Sequence, residues 1–313
     1  MKKTFLYLSM VAFFSVCAVS CGNDDGVEPP PPAPETLPLP AFSAQAATYT
    51  LADEVNDNTN GAQLKSINFT ESGKAVFEVL TKEGKTKYAA YTMEVSGGVY
   101  TVKDDTGKTI GTVETGTNVR TVSSTAIKIN VTIYIPGVGT LTFTTGEAVN
   151  AQLESDNMQG GNVLNNIART WTVRSLFLTL DGDVSLSKLV QSGNLEEFID
   201  EAQKRGAGLS KDEENQLRKI VKSFTLDKNG NFIIEYTEND KSNYVEAGKW
   251  KWHGTGTKQL SLTFKDLDMG NKFLSNNSII DVDFNAAGGC TFTLNTEIKG
   301  SKNYKANLII VLK

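Results

Sequence analysis

Side chains able to do chemistry are few in this chain, and they are scattered. His253 is the single histidine, following Trp252 beside a Gly254-Thr255-Gly256 turn. A Ser-His-Asp relay needs its histidine on a buried acid, and a zinc centre needs several His or Cys ligands, so one histidine argues against both. No Gly-x-Ser-x-Gly elbow and no dinucleotide fingerprint occurs. Gly84-Lys85-Thr86 and Gly107-Lys108-Thr109 end like phosphate loops, but Val79 and Val102 stand where the first glycine belongs, so both read as hairpin turns. Asn56-Asp57-Asn58-Thr59-Asn60-Gly61 has the flavour of a calcium loop. Ile67 holds the place of the bidentate glutamate, so it reads as a polar loop. Asp266 with Asp268 and Asp281 with Asp283 could supply paired carboxylates for hydrolysis, although solvated faces account for them. The reading is therefore no catalytic residue, no metal site and no cofactor.

Aromatic residues offer more. Trp171, Trp250 and Trp252 are the candidate ligand-binding residues. On a strand Trp250 and Trp252 point to one face, and Lys249 and Lys251 to the other. The pair either fills a core or makes a platform for an apolar ligand or a sugar ring.

The start of the chain carries chemistry of another kind. Lys2 and Lys3 precede the uncharged run Phe5–Val16, and Ala18-Val19-Ser20 then leads into Cys21. The run is short of the ~20 apolar residues of a membrane span, so residues 1–20 read as a signal peptide. The Ala18-Val19-Ser20-Cys21 ending resembles the lipobox of bacterial lipoproteins. That resemblance implies that the Cys21 thiol is acylated and that the membrane is a partner through this anchor. Stable attachment takes more than one acyl chain, and lipobox cysteines carry several. Asp24 and Asp25 just after Cys21 resemble the surface-export signal of Bacteroidetes-type lipoproteins, which implies an outer-membrane protein exposed on the cell surface. Residues 21–45 form the tether: seven of the eight prolines lie between Pro29 and Pro40, and proline favours an extended chain.

Composition bounds the rest. Losing residues 1–20 removes Lys2, Lys3 and no acid, so the net charge of −5 becomes −7. An acidic chain without a basic stripe is not built for nucleic acid. With Cys17 in the signal and Cys21 in the anchor, only Cys290 remains, so no internal disulfide supports the fold.

Beyond residue 45 the chain repeats itself. Lys65–Val79 lies over Lys222–Tyr236, each reading as strand, tight turn and strand, with Gly73 matched to Gly230. Thr48-Tyr49-Thr50-Leu51 matches Thr170-Trp171-Thr172-Val173, and Gly98–Val102 matches Gly248–Trp252. Further alternating runs give each half about eight short strands, the number of a small closed barrel. The expected fold is all-β with two tandem antiparallel barrel-like domains, at 46–150 and 164–313, joined by a link at 151–163. A helical insert at 184–221 follows from the spacing of Leu186, Leu189, Val190, Leu195, Phe198, Ile199, Leu217, Ile220 and Val221.

Ala168–Val173, the insert, Phe224–Ile234 with its Asn229-Gly230 turn, and Gly248–Trp252 together resemble the lipocalin-like lipoproteins of Bacteroidetes. Lipocalin-like chains open on Gly-x-Trp, whose tryptophan plugs the barrel base; Arg169 replaces that glycine here. The resemblance implies a small-ligand barrel or a filled one, and it transfers no ligand. The leading reading is a surface-tethered, non-enzymatic module binding a small molecule, glycan or partner protein. A structural envelope protein with filled barrels is the alternative, and a carboxylate-dependent hydrolase the third. Cys21→Ala is expected to leave an unlipidated precursor. Mass spectrometry finding the wild-type mature chain unacylated would overturn the anchor.

Overall fold

Strict alternation builds most of this chain, and β7 (Ser124–Ile135) states the rule most plainly. Ile127, Ile129, Val131, Ile133 and Ile135 are buried, while Lys128, Asn130, Thr132 and Tyr134 between them are exposed. β-Branched residues at period two suit a strand with one face on a core and the other in water. The computed structural model describes residues 47–57, 59–115, 124–155, 161–181, 190–192, 195–206, 210–211, 214, 220–237, 242–264, 278–285, 288–299 and 303–313. All of these belong to one unit, Glu35–Lys313. Residues 1–45, with Cys21, lie outside the described residues, as do Asp266 and Asp268.

The first lobe runs through β1 (Ala47–Asn56), β2 (Gln63–Phe69), β3 (Lys74–Leu80), β4 (Thr86–Ser96), β5 (Val99–Lys103) and β6 (Thr109–Thr115) into β7. β8 (Gly139–Thr144) and β9 (Val149–Ser155) then act as one interrupted stave along β7. Thr145 bridges the interruption, its hydroxyl accepting the Ile129 N–H at 2.9 Å. β9 also pairs with β1, which closes an antiparallel ring and leaves no open edge. β9 therefore takes up residues 151–155, where the sequence reading places the link.

A short helix, α1 (Gly161–Ile167), carries Leu164 and Ile167 into the core of the second lobe. There β10 (Thr170–Asp181), β12 (Ile220–Leu226), β13 (Asn231–Thr237), β14 (Asn243–Trp252), β15 (Gln259–Phe264), β16 (Ile279–Phe284), β17 (Cys290–Lys299) and β18 (Asn303–Leu312) pair in order, and β18 returns to β10. The described residues are nearly all β, in two closed eight-stave barrels. Between β10 and β12 lie β11 (Val190–Ser192) and α2 (Leu195–Lys204), the latter seating Ile199 in the core. Among the described residues the insert departs from its helical spacing at Val190–Ser192 and from Ile220, which are strand. Val190 lies on β11, whose backbone partners the overhang of β10, and Ile220 and Val221 open β12. Residues 182–189 and 215–219 lie outside the described residues.

The β2–β3 and β12–β13 hairpins share one register, position for position. Ser66 faces Glu78 as Ser223 faces Glu235, and each hairpin has a bulge just before that serine. Gly73 (φ 80°) and Gly230 (φ 77°) hold the same turn position, and their carbonyls accept the N–H of Met93 (2.9 Å) and Trp250 (2.7 Å). Trp250 therefore matches Met93. Gly98 does not match Gly248: it lies in the β4–β5 turn, whereas Gly248 sits inside β14 opposite Phe232. A Cβ on Gly248 would meet the Thr263 carbonyl at 2.4 Å, so close strand packing explains this glycine.

Trp171 and Trp250, 1% and 2% exposed, belong to the core of the second barrel. Each donates its indole N–H to a backbone carbonyl at 3.0 Å, Trp171 to Ile167 and Trp250 to Asp227. Trp252 is partly buried and meets Trp250 edge-on, centroids 5.2 Å apart. Trp250→Ala is expected to cost ~3–5 kcal/mol, the usual range for a buried large aromatic, and Trp252→Ala distinctly less. Urea midpoints of the two variants check this; equal losses would refute the placement.

Candidate functional site

Most strands bury one face, but β3, β4, β13 and β14 bury parts of both. Their inner faces fill the barrels, and their outer faces meet each other. Val76, Tyr88 and Ala90 from the first lobe pack against Ile233, Val245 and Ala247 from the second. These are the same three positions of each lobe. The seam is therefore self-complementary, with the logic of a two-fold dimer interface inside one chain. Tyr88 and Val245 pair as backbone partners across it.

Polar groups border this apolar patch, and they do so unequally. On one side Lys74 reaches across the lobes to Glu235, N···O 2.9 Å, and the Ser223 hydroxyl supports that carboxylate at 2.9 Å. On the other side the position matching Lys74 is Asn231. Its amide turns to Asp227 Oδ2 (2.7 Å) and Thr48 Oγ1 (3.0 Å), and Asn68 donates to the same Asp227 oxygen at 2.9 Å. Here a cleft of about 190 Å³ opens between the lobes. Val76, Tyr88, Ile233, Ala247 and Phe264 give its apolar surface. Thr48, Thr50, Ser66, Asn68, Glu78 and Asn231 add hydroxyls, amides and a carboxylate. Lys249 and Glu154, paired at 3.2 Å and both about half exposed, lie at its rim.

Behind the cleft sit two acids. Asp227 is fully buried; burial pushes its pKa up, while the Asn231 backbone and the Asn231 and Asn68 amides favour its ionised form. Glu71, in the turn of the other lobe, accepts the Lys228 N–H at 3.1 Å on one oxygen, and its second oxygen is buried without a partner. Burial first, and the charge of Asp227 second, push the Glu71 carboxyl up to about 7.

The tryptophans singled out by sequence stand in or against the second core, apart from this cleft. His253 is exposed. Asp281 accepts a hydrogen bond from Gln259 Nε2 at 2.6 Å. Asp57 of the polar loop clamps backbone: burial opposes its charge, yet the N–H groups of Thr142, Asn60 and Thr59 hold its pKa below the usual value. Cys290 is buried, which pushes its thiol pKa up. Asn68, Asp227 and Asn231 read as ordinary strand and turn residues. Their signal lies in Ala75-Val76-Phe77 and Phe232-Ile233-Ile234, unbroken apolar runs that mark strands covered on both faces.

No known family profile matches the chain, and no curated protein matches it. Among solved structures, similarity is found to a transferrin binding protein B antigen of Haemophilus parasuis Hp5, at 8% identity and TM-score 0.23, covering 80% of this chain. The chain spans 54% of that protein's length. A protein of unknown function from Nostoc punctiforme gives 7% identity and TM-score 0.19, covering 85% of this chain and 93% of that one. A porin-like protein from Bacteroides uniformis gives 8% identity and TM-score 0.18, with 90% and 100% covered. At these scores the likenesses carry no functional argument.

The acids make a pH prediction. Glu71 has a folded pKa near 7, raised from 4.5, so its contribution is complete below pH 4.5 and is lost as pH rises through about 7. That displacement corresponds to ~3 kcal/mol. Asp227 is shifted the same way. Glu71→Gln is expected to match wild type near pH 4.5 and to exceed its stability above pH 7. Denaturant titrations across that window check it, and parallel curves for the two proteins would refute it.

Proposed function

We propose that the protein is a non-enzymatic binding module, tethered to the outer face of the envelope through acylated Cys21, whose ligand enters the cleft between the two barrels. The observation that supports this most is the cleft itself. It has an apolar floor, convergent hydroxyl, amide and carboxylate groups, and walls from both lobes, which is the usual build of a small-molecule site. At about 190 Å³ it falls below the ~300 Å³ at which drug-sized pockets begin, so a ligand of one small ring or a short chain suits it.

The barrel interiors favour a different use. Phe224, Phe232, Phe264 and Phe292 form a chain of stacked and edge-on ring contacts with successive centroids at most 6.0 Å apart, and Tyr49, Phe69 and Tyr100 do the same in the first barrel. These rings occupy the interiors, so the barrels act as frames for the cleft.

The test is an amide-resolved NMR screen of the full mature chain against neutral sugars, short carboxylates and alkylamines at millimolar concentration. At least one class is expected to shift resonances of Thr48, Asn68 and Gly248, and Thr50→Trp, which fills the mouth, to abolish the shift. If no class perturbs the cleft, the binding reading fails.

A further inference from the structure

The two sides of the seam are the same frame with one group exchanged. On the closed side a serine supports a carboxylate (Ser223, Glu235), and the ammonium of Lys74 from the other lobe completes it at 2.9 Å. On the open side the serine and carboxylate recur as Ser66 and Glu78, with Ser66 Oγ donating to Glu78 Oε2 at 2.9 Å. The lysine does not recur. Asn231 holds its position, is two atoms shorter along its chain, and is tied back to Asp227 and Thr48. The cleft occupies the space this exchange leaves.

We infer that the cleft is a receptor for a small organic cation, a primary alkylammonium group whose charge sits at Glu78 as that of Lys74 sits at Glu235. The inference rests on the reading of the cleft as a binding site and names the class of ligand. Glu78 need not be otherwise free, since a carboxylate offers about four acceptor sites. The charges facing the cleft suit a cation. Glu78 lines it, and the other two charged residues of the lining, Glu154 and Lys249, offset each other as a pair. Val76, Ile233, Ala247 and the Tyr88 ring give an aliphatic stem an apolar bed, and a cation beside an aromatic ring is favourable. A hydroxylated sugar lacks the charge, and a carboxylate ligand would meet the like charge of Glu78.

The probe is n-butylammonium, compared with glucose and butyrate, titrated into the full mature chain and followed by NMR at pH 7. The amine alone is expected to shift Ser66, Glu78 and Gly248. Glu78→Gln should weaken it at least tenfold with the fold retained by circular dichroism. Lys74→Ala, which removes the built-in ammonium, is expected to add a second amine site at Glu235 and to regain thermal stability when butylammonium is present. Glucose or butyrate shifting the cleft as strongly as the amine, or Glu78→Gln binding unchanged, overturns the ammonium inference while the binding reading stands. If none of the probes perturbs the cleft, the binding reading fails and this inference with it. Rescue of Lys74→Ala in that case would show only that the closed side accepts amines.

Discussion

A carboxylate leaves water only if other groups replace the water's hydrogen bonds, and Asp227 has left it completely. The rest of the seam is arranged around meeting that demand. Asn231, four residues on in the same turn, supplies its backbone N–H at 2.7 Å and its amide at 2.7 Å. Asn68 supplies the third donor from the other lobe. The partners are in turn committed: Thr48 donates to Asn68 Oδ1 at 3.2 Å while accepting from Asn231. The Asp227 carbonyl also receives the indole N–H of Trp250. Each lobe therefore needs the other, since separating them would strip a donor from a buried acid. Losing one partner of a buried charge costs far more than the net worth of the contact.

That dependence explains why the apolar patch can be small. Val76, Tyr88, Ala90, Ile233, Val245 and Ala247 form a modest contact, with two alanines among them. Small residues let the sheets approach, and the surrounding polar groups fix the register in which they do so. Lys74 with Glu235, Ser72 with Thr170 (2.7 Å) and Lys228 N–H with Glu71 each join the two lobes. The Glu71–Lys228 contact favours the joining of first lobe to second over first to first, because two first-lobe faces would set Glu71 against Glu71. The cost falls on Glu71 itself, held near Asp227 with one oxygen unpartnered. Charging it strains the same junction that Asp227 holds together.

Much of the frame was legible in the residues. Alternation placed β7, β8, β17 and β18, and the Lys65 and Lys222 hairpins announced their shared turn through Gly73 and Gly230. Period-two spacing also put Lys249 and Lys251 on the face opposite Trp250, as observed. Val190, Ile220 and Val221 escaped it because a short apolar run fits a helix face or a strand equally well, and only partners settle the matter. Here β10 and β13 supply them. The cleft was hidden for a different reason. Its walls come from β1–β4, β9 and β13–β15, and nothing local in Asn231 or Glu78 records that they lie on opposed sheets. Only the exchange of Lys74 for Asn231, visible once the hairpins are aligned, hinted that the two sides would differ.

The location of the cleft follows from barrel size. Eight strands enclose an interior that ordinary side chains can fill, and this chain fills it with Trp171, Trp250 and four phenylalanines in one lobe and with Tyr49, Phe69, Phe77 and Phe143 in the other. Interior side chains of this size support the sheet. The outer faces of two rigid sheets cannot interdigitate everywhere, so any shortened side chain at their junction leaves space that neither lobe can collapse to fill. Asn231 is such a shortening, anchored by Asp227 so that it cannot swing into the gap. The interaction that locks the lobes together is thereby the one that keeps the cleft open.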